Sequence, residues 1–354
     1  VNSSAGTFPQ SSGVHENGST PAIDLGSSQD VTIDGMKRSG IMIYGFDQAI
    51  WVNSGSNITM RNIETFDNGV VSHGTDPSPV FGSPARGRPT GYWSDGFSVS
   101  LERGGTNLTF DRMLLHDDGQ DNFHGGHAFN NIAITNSWIF NSRENPIYPG
   151  FSFMTGPVDL CIHPDAMELW NATVGDGMTV QNDIIGPYLW QGLYPTDGPT
   201  MHYNNVSITN TLFFNVIYQA INTYESAPTG WTMSNLTFYR YGQNPDGTYC
   251  CSLDGKNWSG DTLTNSISYG GYINDSGLSG SNNVYYNSNG ATLAGGTHVN
   301  PNFVQGLTST TPSWPDFQTV NLTAQCSLCS GKGSSLHTLR DILNRIDSLN
   351  EVEP

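Results

Sequence analysis

Three aspartates in the middle of this 354-residue chain, Asp95, Asp121 and Asp165, stand in similar local settings, and His116, His124, His127 and His163 fall among them. Carboxylates held within a few ångströms of one another cannot all ionise cheaply. One of them then keeps its proton to higher pH and can serve as a general acid, while another serves as base or nucleophile. A separation of ~5–5.5 Å suits retaining glycoside hydrolysis, and ~6.5–9.5 Å leaves room for the water of an inverting reaction. Asp95, Asp121, Asp165 and Glu168 together also offer the hard oxygen ligands that calcium takes. His124 and His163 fit calcium poorly and point instead to proton transfer or a transition metal. These residues require no cofactor, and calcium is the one the carboxylates would accept.

Charge narrows the partner. The net charge is −18, and the lysines are Lys37, Lys256 and Lys332. So few cations give no electrostatic footprint for nucleic acid or an anionic lipid surface, and no apolar run reaches the ~18 residues of a membrane span. Between Met113 and Tyr239 the sole Lys or Arg is Arg143. A polyuronate would be repelled by the acidic column unless calcium bridged it, so a neutral or weakly charged glycan fits better. Groups that would line such a sugar are Trp51, His124, Arg143, Glu168, Trp190, Gln191 and Tyr194, aromatic or hydrogen-bonding in type.

These residues are positioned by a repeat. An Asn, Asp or Gly followed by alternating apolar and small residues recurs as Asp30-Val-Thr-Ile-Asp34, Asn57-Ile-Thr-Met-Arg-Asn62, Asn107-Leu-Thr-Phe-Asp111, Asn131-Ile-Ala-Ile-Thr-Asn136, Gly177-Met-Thr-Val-Gln-Asn182, Asn205-Val-Ser-Ile-Thr-Asn210 and Asn235-Leu-Thr-Phe-Tyr239. The steps are 27, 50, 24, 46, 28 and 30 residues, with 50 and 46 read as double steps. A second column reads Gln48-Ala-Ile-Trp51, Asp95-Gly-Phe-Ser98, Asp121-Asn-Phe-His124, Asp165-Ala-Met-Glu168, Gln191-Gly-Leu-Tyr194 and Gln219-Ala-Ile-Asn222. Two columns of short alternating strands on one period in the twenties predict an all-β solenoid, a right-handed parallel β-helix. The 44-residue step from Asp121 to Asp165 leaves room for an extra rung. A structural alternative accompanies the chemical one: Asp-Gly and Gln-Ala pairs can simply sit at coil corners, where Asp accepts backbone donors.

The expected organisation is an extended arm or cap remnant over 1–21, a parallel β-helix over 22–325 with a proline-rich loop at 72–92, and a C-terminal segment over 326–354. In that last segment Leu336, Leu339, Leu343 and Ile346 predict an amphipathic helix. Covering the last open rung is the role expected of it, with an oligomer seam as the other. Ten N-x-S/T sequons, at Asn2, Asn17, Asn57, Asn107, Asn171, Asn205, Asn235, Asn257, Asn274 and Asn321, suit a glycosylated protein, although four of them are generated by the repeat itself. Five cysteines include Cys326 and Cys329, spaced for a local disulfide. With no recognisable signal peptide at Val1, the chain reads as a trimmed product that is secreted or displayed on an extracellular surface.

The repeat resembles the pectin-lyase-like superfamily of right-handed β-helix proteins. Tyr92-Trp-Ser-Asp95-Gly-Phe-Ser-Val99 is similar to the asparagine-threonine-aspartate-glycine segment of polygalacturonase-type glycoside hydrolases, and His116-Asp-Asp-Gly-Gln-Asp-Asn-Phe123 stands where those enzymes carry an aspartate pair. Their Gly-His-Gly and Arg-Ile-Lys motifs have no counterpart. Ile162-His-Pro-Asp-Ala-Met-Glu-Leu-Trp170 is similar instead to a His-Pro-Asp-Ala segment of bacterial β-helix proteins. The resemblance implies a polysaccharide substrate, with Asp95 and Asp121 as an acid/base pair and His163 and Asp165 completing the site. Hydrolysis is the first reading. A non-catalytic structural, adhesive or filament-forming surface protein is the alternative, and a calcium-dependent lyase or epimerase the second one. A homo-oligomer or filament is compatible with each.

Overall fold

A computed structural model of the chain describes residues 21–44, 46, 48–66, 68, 97–101, 103–118, 121–126, 129–140, 165–170, 174–197, 202–223, 227, 229–241, 251–255, 258–274, 277–288, 296–309 and 314–352. The chain winds through three parallel sheets in repeating order. Sheet A holds nine strands from Ile23–Gly26 to Tyr272–Ile273, sheet B nine from Gln29–Asp34 to Ser279–Ser281, and sheet C ten from Ile41–Tyr44 to Thr297–His298. Alternation along each strand sends every second side chain inward. Ile58, Leu108, Ile132, Met178 and Val206 of sheet B meet Val99, Phe123, Met167 and Leu193 of sheet A and Leu115, Ile139, Ile185 and Phe213 of sheet C in one continuous core.

From the second rung on, the chain passes from sheet B to sheet C through a single residue in the left-handed region. Asn62, Arg112, Asn136, Asn182, Asn210, Asn235, Asn265 and Asn282 all have φ between 50° and 60° or close to it. Asn is the common choice because its short polar side chain tolerates this conformation. From Asn62 to Asn265 these backbone N–H groups also donate to the next rung, as Asn136 does to Gln181 O and Asn182 to Thr209 O. A second left-handed column, Asp30, Asn57, Asn107, Asn131, Gly177 and Asn205, marks the bulge within sheet B. Its amides bond rung to rung: Asn57 to Asp30, Asn107 to Asn57, and Asn131 to Asn107 at 2.8–3.0 Å. The sequon asparagines Asn57 and Asn107 therefore belong to a ladder, as does Asn205, which donates to Asp176 Oδ1.

The register corrects several expectations. Ile58 pairs with Leu108 and Ile132 with Met178, so the 50- and 46-residue steps are single rungs with long insertions. Phe123 pairs directly with Met167, so the 44-residue step holds no extra rung. Met233 rather than Leu236 continues sheet B, because Asn235 is a corner and Thr237–Tyr239 belongs to sheet C. Sheet C is a third column absent from the two-column reading. The parallel coil ends at Thr297–His298 rather than running to 325, and Phe303–Gln305 pairs antiparallel with Asn321–Ala324. The arm before residue 21 and the proline-rich loop lie outside the described residues.

Sheet C is apolar on its outer face too, with Leu114, Trp138, Ile184 and Leu212 pointing away from the core. Helix α1 (Trp314–Gln318), helix α2 (Leu339–Val352) and Leu336 just before it cover that face, with Phe317, Leu339, Ile342 and Ile346 contributed by the helices. The start of α2 is set by a reciprocal cap: Thr338 Oγ1 accepts from Asp341 N, and Asp341 Oδ2 accepts from Thr338 N. The last segment walks backward over the Asn corners. Gly333 N donates to Asn265 O, Ser335 N to Asn210 Oδ1, Arg345 Nε to Asn136 Oδ1, and Arg112 Nη1 to Asn350 Oδ1. The helix is thus a strap along the flank and not a plug on the final rung. Its stripe is buried against the apolar outer face of sheet C.

Asn136 combines a left-handed backbone with bonds to Asp111, Asn182 and Arg345. Asn136→Ala should cost about 2–4 kcal/mol, the sum of left-handed strain and lost hydrogen bonds. Asn136→Gly keeps the backbone freedom and should cost about half as much. Urea unfolding of both variants checks this, and equal losses would mean that the corner conformation carries no strain.

Candidate active site

The outer face of sheet A carries the chemistry. Register along it sets Trp51, Ser100, His124, Glu168, Tyr194, Asn222 and Asp254 in one outward column. Three residues earlier, where the chain enters each strand from its corner, lie Gln48, Phe97, Asp121, Asp165, Gln191 and Gln219. The step between the second and third of these rungs is 24 residues, since Phe123 pairs with Val99. Phe97 therefore falls beside Asp121, and Ser100 beside His124, in the places that the sequence spacing gave to Asp95 and Ser98. Asp95, His127, Arg143 and His163 lie outside the described residues.

Asp121 is fully buried, and its two oxygens do different things. Oδ1 accepts the backbone N–H of Asp165 at 3.1 Å, while Oδ2 lies 3.0 Å from His124 Nδ1. The His124 ring stacks on Phe97 with centroids 4.1 Å apart and planes at 16°. That packing and the carboxylate hold the ring in one pose, with 12% of the side chain still exposed. On the following rung, Glu168 is 8% exposed and opposes His124. One ligand atom from each of Asp121, His124 and Glu168 lies within 4.8 Å of the others.

Asp165 serves the next rung instead. Its Oδ1 accepts the Gln191 backbone N–H at 2.8 Å and its Oδ2 the Gln191 side-chain amide at 3.2 Å. A network of amides continues from there. Asn222 Nδ2 donates to Gln191 Oε1 and Gln219 Oε1, and Gln219 Nε2 donates to Asp254 Oδ2. At the edge of this network Trp190 and Tyr218 stack at 4.9 Å and 7°, with Tyr218 37% exposed. Tyr194 is buried and Trp51 half-buried, two rungs before His124. Tyr218 and Asp254 were not singled out from sequence. The 28-residue step from Trp190 to Tyr218 and the apolar-Asp-Gly pattern of Leu253-Asp254-Gly255 are the signals that carry them.

His116 stands elsewhere. It lies in sheet C, stacked between Phe66 and Phe140, with Nδ1 3.0 Å from Asp117 and Nε2 3.1 Å from Glu64. Burial alone would lower its pKa, but the hydrogen bonds and charges of Asp117 and Glu64 raise it to about 9. Nearby Asp118 is buried and bonded to Ser98 and Asn68, and burial pushes its carboxyl up to about 8 against those bonds. The structure joins Cys326 to Cys329 in a disulfide, and among the described residues no helix is long and apolar enough to cross a membrane.

The coil and its ladders define the class: a right-handed parallel β-helix whose sheet A face carries a buried Asp–His–Glu cluster. No family model and no curated protein matches the chain. A solved structure with which it aligns is the crystal structure of pectate lyase Pel9A, at TM-score 0.39 and 12% identity over 89% of this chain and 76% of that one. So distant a likeness says nothing about chemistry, which must come from the residues themselves.

Both raised groups tilt stability in one direction. His116, at about 9 when folded against 6.5 when unfolded, stabilises fully below 6.5 and loses that contribution as pH rises through 9. Asp118 keeps its proton in the fold to about 8, so its burial becomes costly as pH climbs from 3.8 to 8. The melting temperature should therefore fall from pH 5.5 to pH 9, and Asp118→Asn should flatten the lower part of that slope. A flat profile in the unaltered protein would contradict both assignments.

Proposed function

We propose that this is an extracellular polysaccharide-cleaving β-helix protein acting on an uncharged or weakly charged glycan, with Asp121, His124 and Glu168 as its reaction centre. The observation that carries this reading is the convergence of those three side chains from two rungs within 4.8 Å on one face. The disulfide and the sequons that lie off the repeat, such as Asn171, Asn257 and Asn321, support an oxidising, secretory setting. Stacked Trp190 and Tyr218 beside the Gln191–Gln219–Asn222 amides supply an aromatic edge and uncharged hydrogen-bonding groups, which suit sugar hydroxyls. Asp95, His163 and Arg143 remain in the proposal as groups of the same stretch, with Asp165 positioning Gln191.

The short separation supports one class of mechanism. Groups this close leave no room for the water that an inverting hydrolase seats between its acid and base, and they suit double displacement. In the proposed reaction Glu168 attacks the anomeric carbon while His124, oriented by Asp121, gives its proton to the departing glycosidic oxygen. The bond to the leaving sugar breaks as the glycosyl–Glu168 bond forms. Water then attacks the same carbon, returns a proton to His124 and frees Glu168. Asp121 is too deeply buried to meet the sugar, so its part is to hold the imidazole.

Incubation with a panel of neutral polysaccharides should release reducing ends with the anomeric configuration retained, read by proton NMR. Glu168→Gln should lower turnover by roughly 10³-fold or more while preserving the fold. Trp190→Ala should raise KM more than it lowers kcat. Unsaturated products would replace this reading with elimination. Absence of any cleavage would favour the non-catalytic shaft, which the burial of Asp121, Asp165 and Glu168 also suits.

A further inference from the structure

We infer that Asp121, His124 and Glu168 also form a binding site for one divalent cation of the zinc class, which takes the place of the proton between His124 Nδ1 and Asp121 Oδ2. The inference deepens the proposed function by giving its reaction centre an inhibitor, but the binding itself does not depend on that reading.

Four features argue for the site. The ligand atoms all lie within 4.8 Å of one another, with Asp121 Oδ2 and His124 Nδ1 3.0 Å apart, so small side-chain adjustments bring them onto one ion. The donors are two carboxylates and an imidazole, a mixed oxygen–nitrogen set that suits zinc or manganese better than calcium, which prefers six to eight oxygens. The geometry is fixed before any ion arrives. Asp121 is anchored by the Asp165 N–H, His124 by the Phe97 ring, and Glu168 by the strand pairing of its rung. Finally, the three are not scattered surface acids: Asp121 is 0%, His124 12% and Glu168 8% exposed. Three protein ligands leave further positions for water or a sugar hydroxyl.

A cation so held engages the lone pairs that the proposed cleavage uses. Glu168 cannot attack carbon while its oxygen is a ligand, and an ion on Nδ1 displaces the hydrogen bond by which Asp121 orients His124. Bound zinc and glycan cleavage therefore exclude one another.

Isothermal titration calorimetry of chelator-treated protein with zinc chloride tests the site without any substrate. One zinc per chain is expected, with calcium binding far more weakly. Glu168→Gln and His124→Asn should each weaken zinc by roughly tenfold to a hundredfold, while Asp254→Asn, three rungs from Glu168 on the same face, should leave it unchanged. Near-ultraviolet circular dichroism establishes that each variant is folded. Absence of saturable zinc binding, or zinc binding that survives both Glu168→Gln and His124→Asn, for instance on the cysteine thiols, would overturn the inference. In cleavage assays zinc should inhibit and chelator restore activity. A protein that binds zinc but cleaves nothing sinks the proposed function alone. One that cleaves glycans but binds no zinc sinks this inference alone.

Discussion

The turn from sheet B to sheet C passes through one residue at positive φ in every rung from Asn62 to Asn282, and the remaining architecture depends on that constraint. A one-residue corner fixes where sheet C begins relative to sheet B, because its N–H must reach the carbonyl of the rung above. With that junction fixed, insertions can be absorbed elsewhere in the rung without shifting the register. Arg112 is the departure from Asn or Asp-like chemistry at these corners. It is buried, and its guanidinium binds Asp111 and Asn350, so the strap compensates for an unfavourable residue type.

The candidate site is a consequence of that tolerance. Forty-four residues separate His124 from Glu168 in sequence, yet one rung spacing, ~4.8 Å, separates their strands in the sheet. A chemical group from one rung therefore meets its partner from the next with no loop required to hold either. Burial follows from stacking, since each side chain of the column covers the one before it. That leaves Asp165 bound to Gln191, Gln191 to Asn222, and Gln219 to Asp254 in a ladder of polar groups that satisfy each other. Within this ladder Asp121 and Glu168 differ from Asp165 by facing a histidine, and the proposed reaction centre rests on that difference.

The fold was legible because alternation and period are written in the residues themselves. Asn57-Ile-Thr-Met and its copies announce inward and outward faces, and the shared period announces a coil. Sheet C is not legible in the sequence because its strands, such as Leu114–His116 and Trp138–Phe140, are buried on both faces and show no alternation. The same apolar outer face explains the helix: its stripe is plain in the sequence, but its docking surface is not. In the site, spacing puts Asp121 in the acid/base column and His124 and Glu168 among the sugar-lining groups, but it does not show that the three converge. Asp95 was aligned with Asp121 because both precede a Gly or Asn and a Phe, whereas the strands are offset by two and bring Phe97 there instead. A two-residue offset keeps every side chain on its face, so alternation cannot reveal it. His116 falls among the same aspartates in sequence, but its place in sheet C sets it between Phe66 and Phe140 instead.

The central claim is that the rung carrying His124 lies directly against the rung carrying Glu168 despite the long insertion between them. Cysteines placed at both positions, in a chain whose native thiols are first replaced by serine outside the Cys326–Cys329 pair, test it by oxidation and peptide mapping. Adjacent parallel strands put such a pair within disulfide reach. The account predicts rapid closure between His124→Cys and Glu168→Cys, and none between His124→Cys and Asn222→Cys two rungs further on. Failure of the first pair to close, or closure of the second in its place, would contradict it.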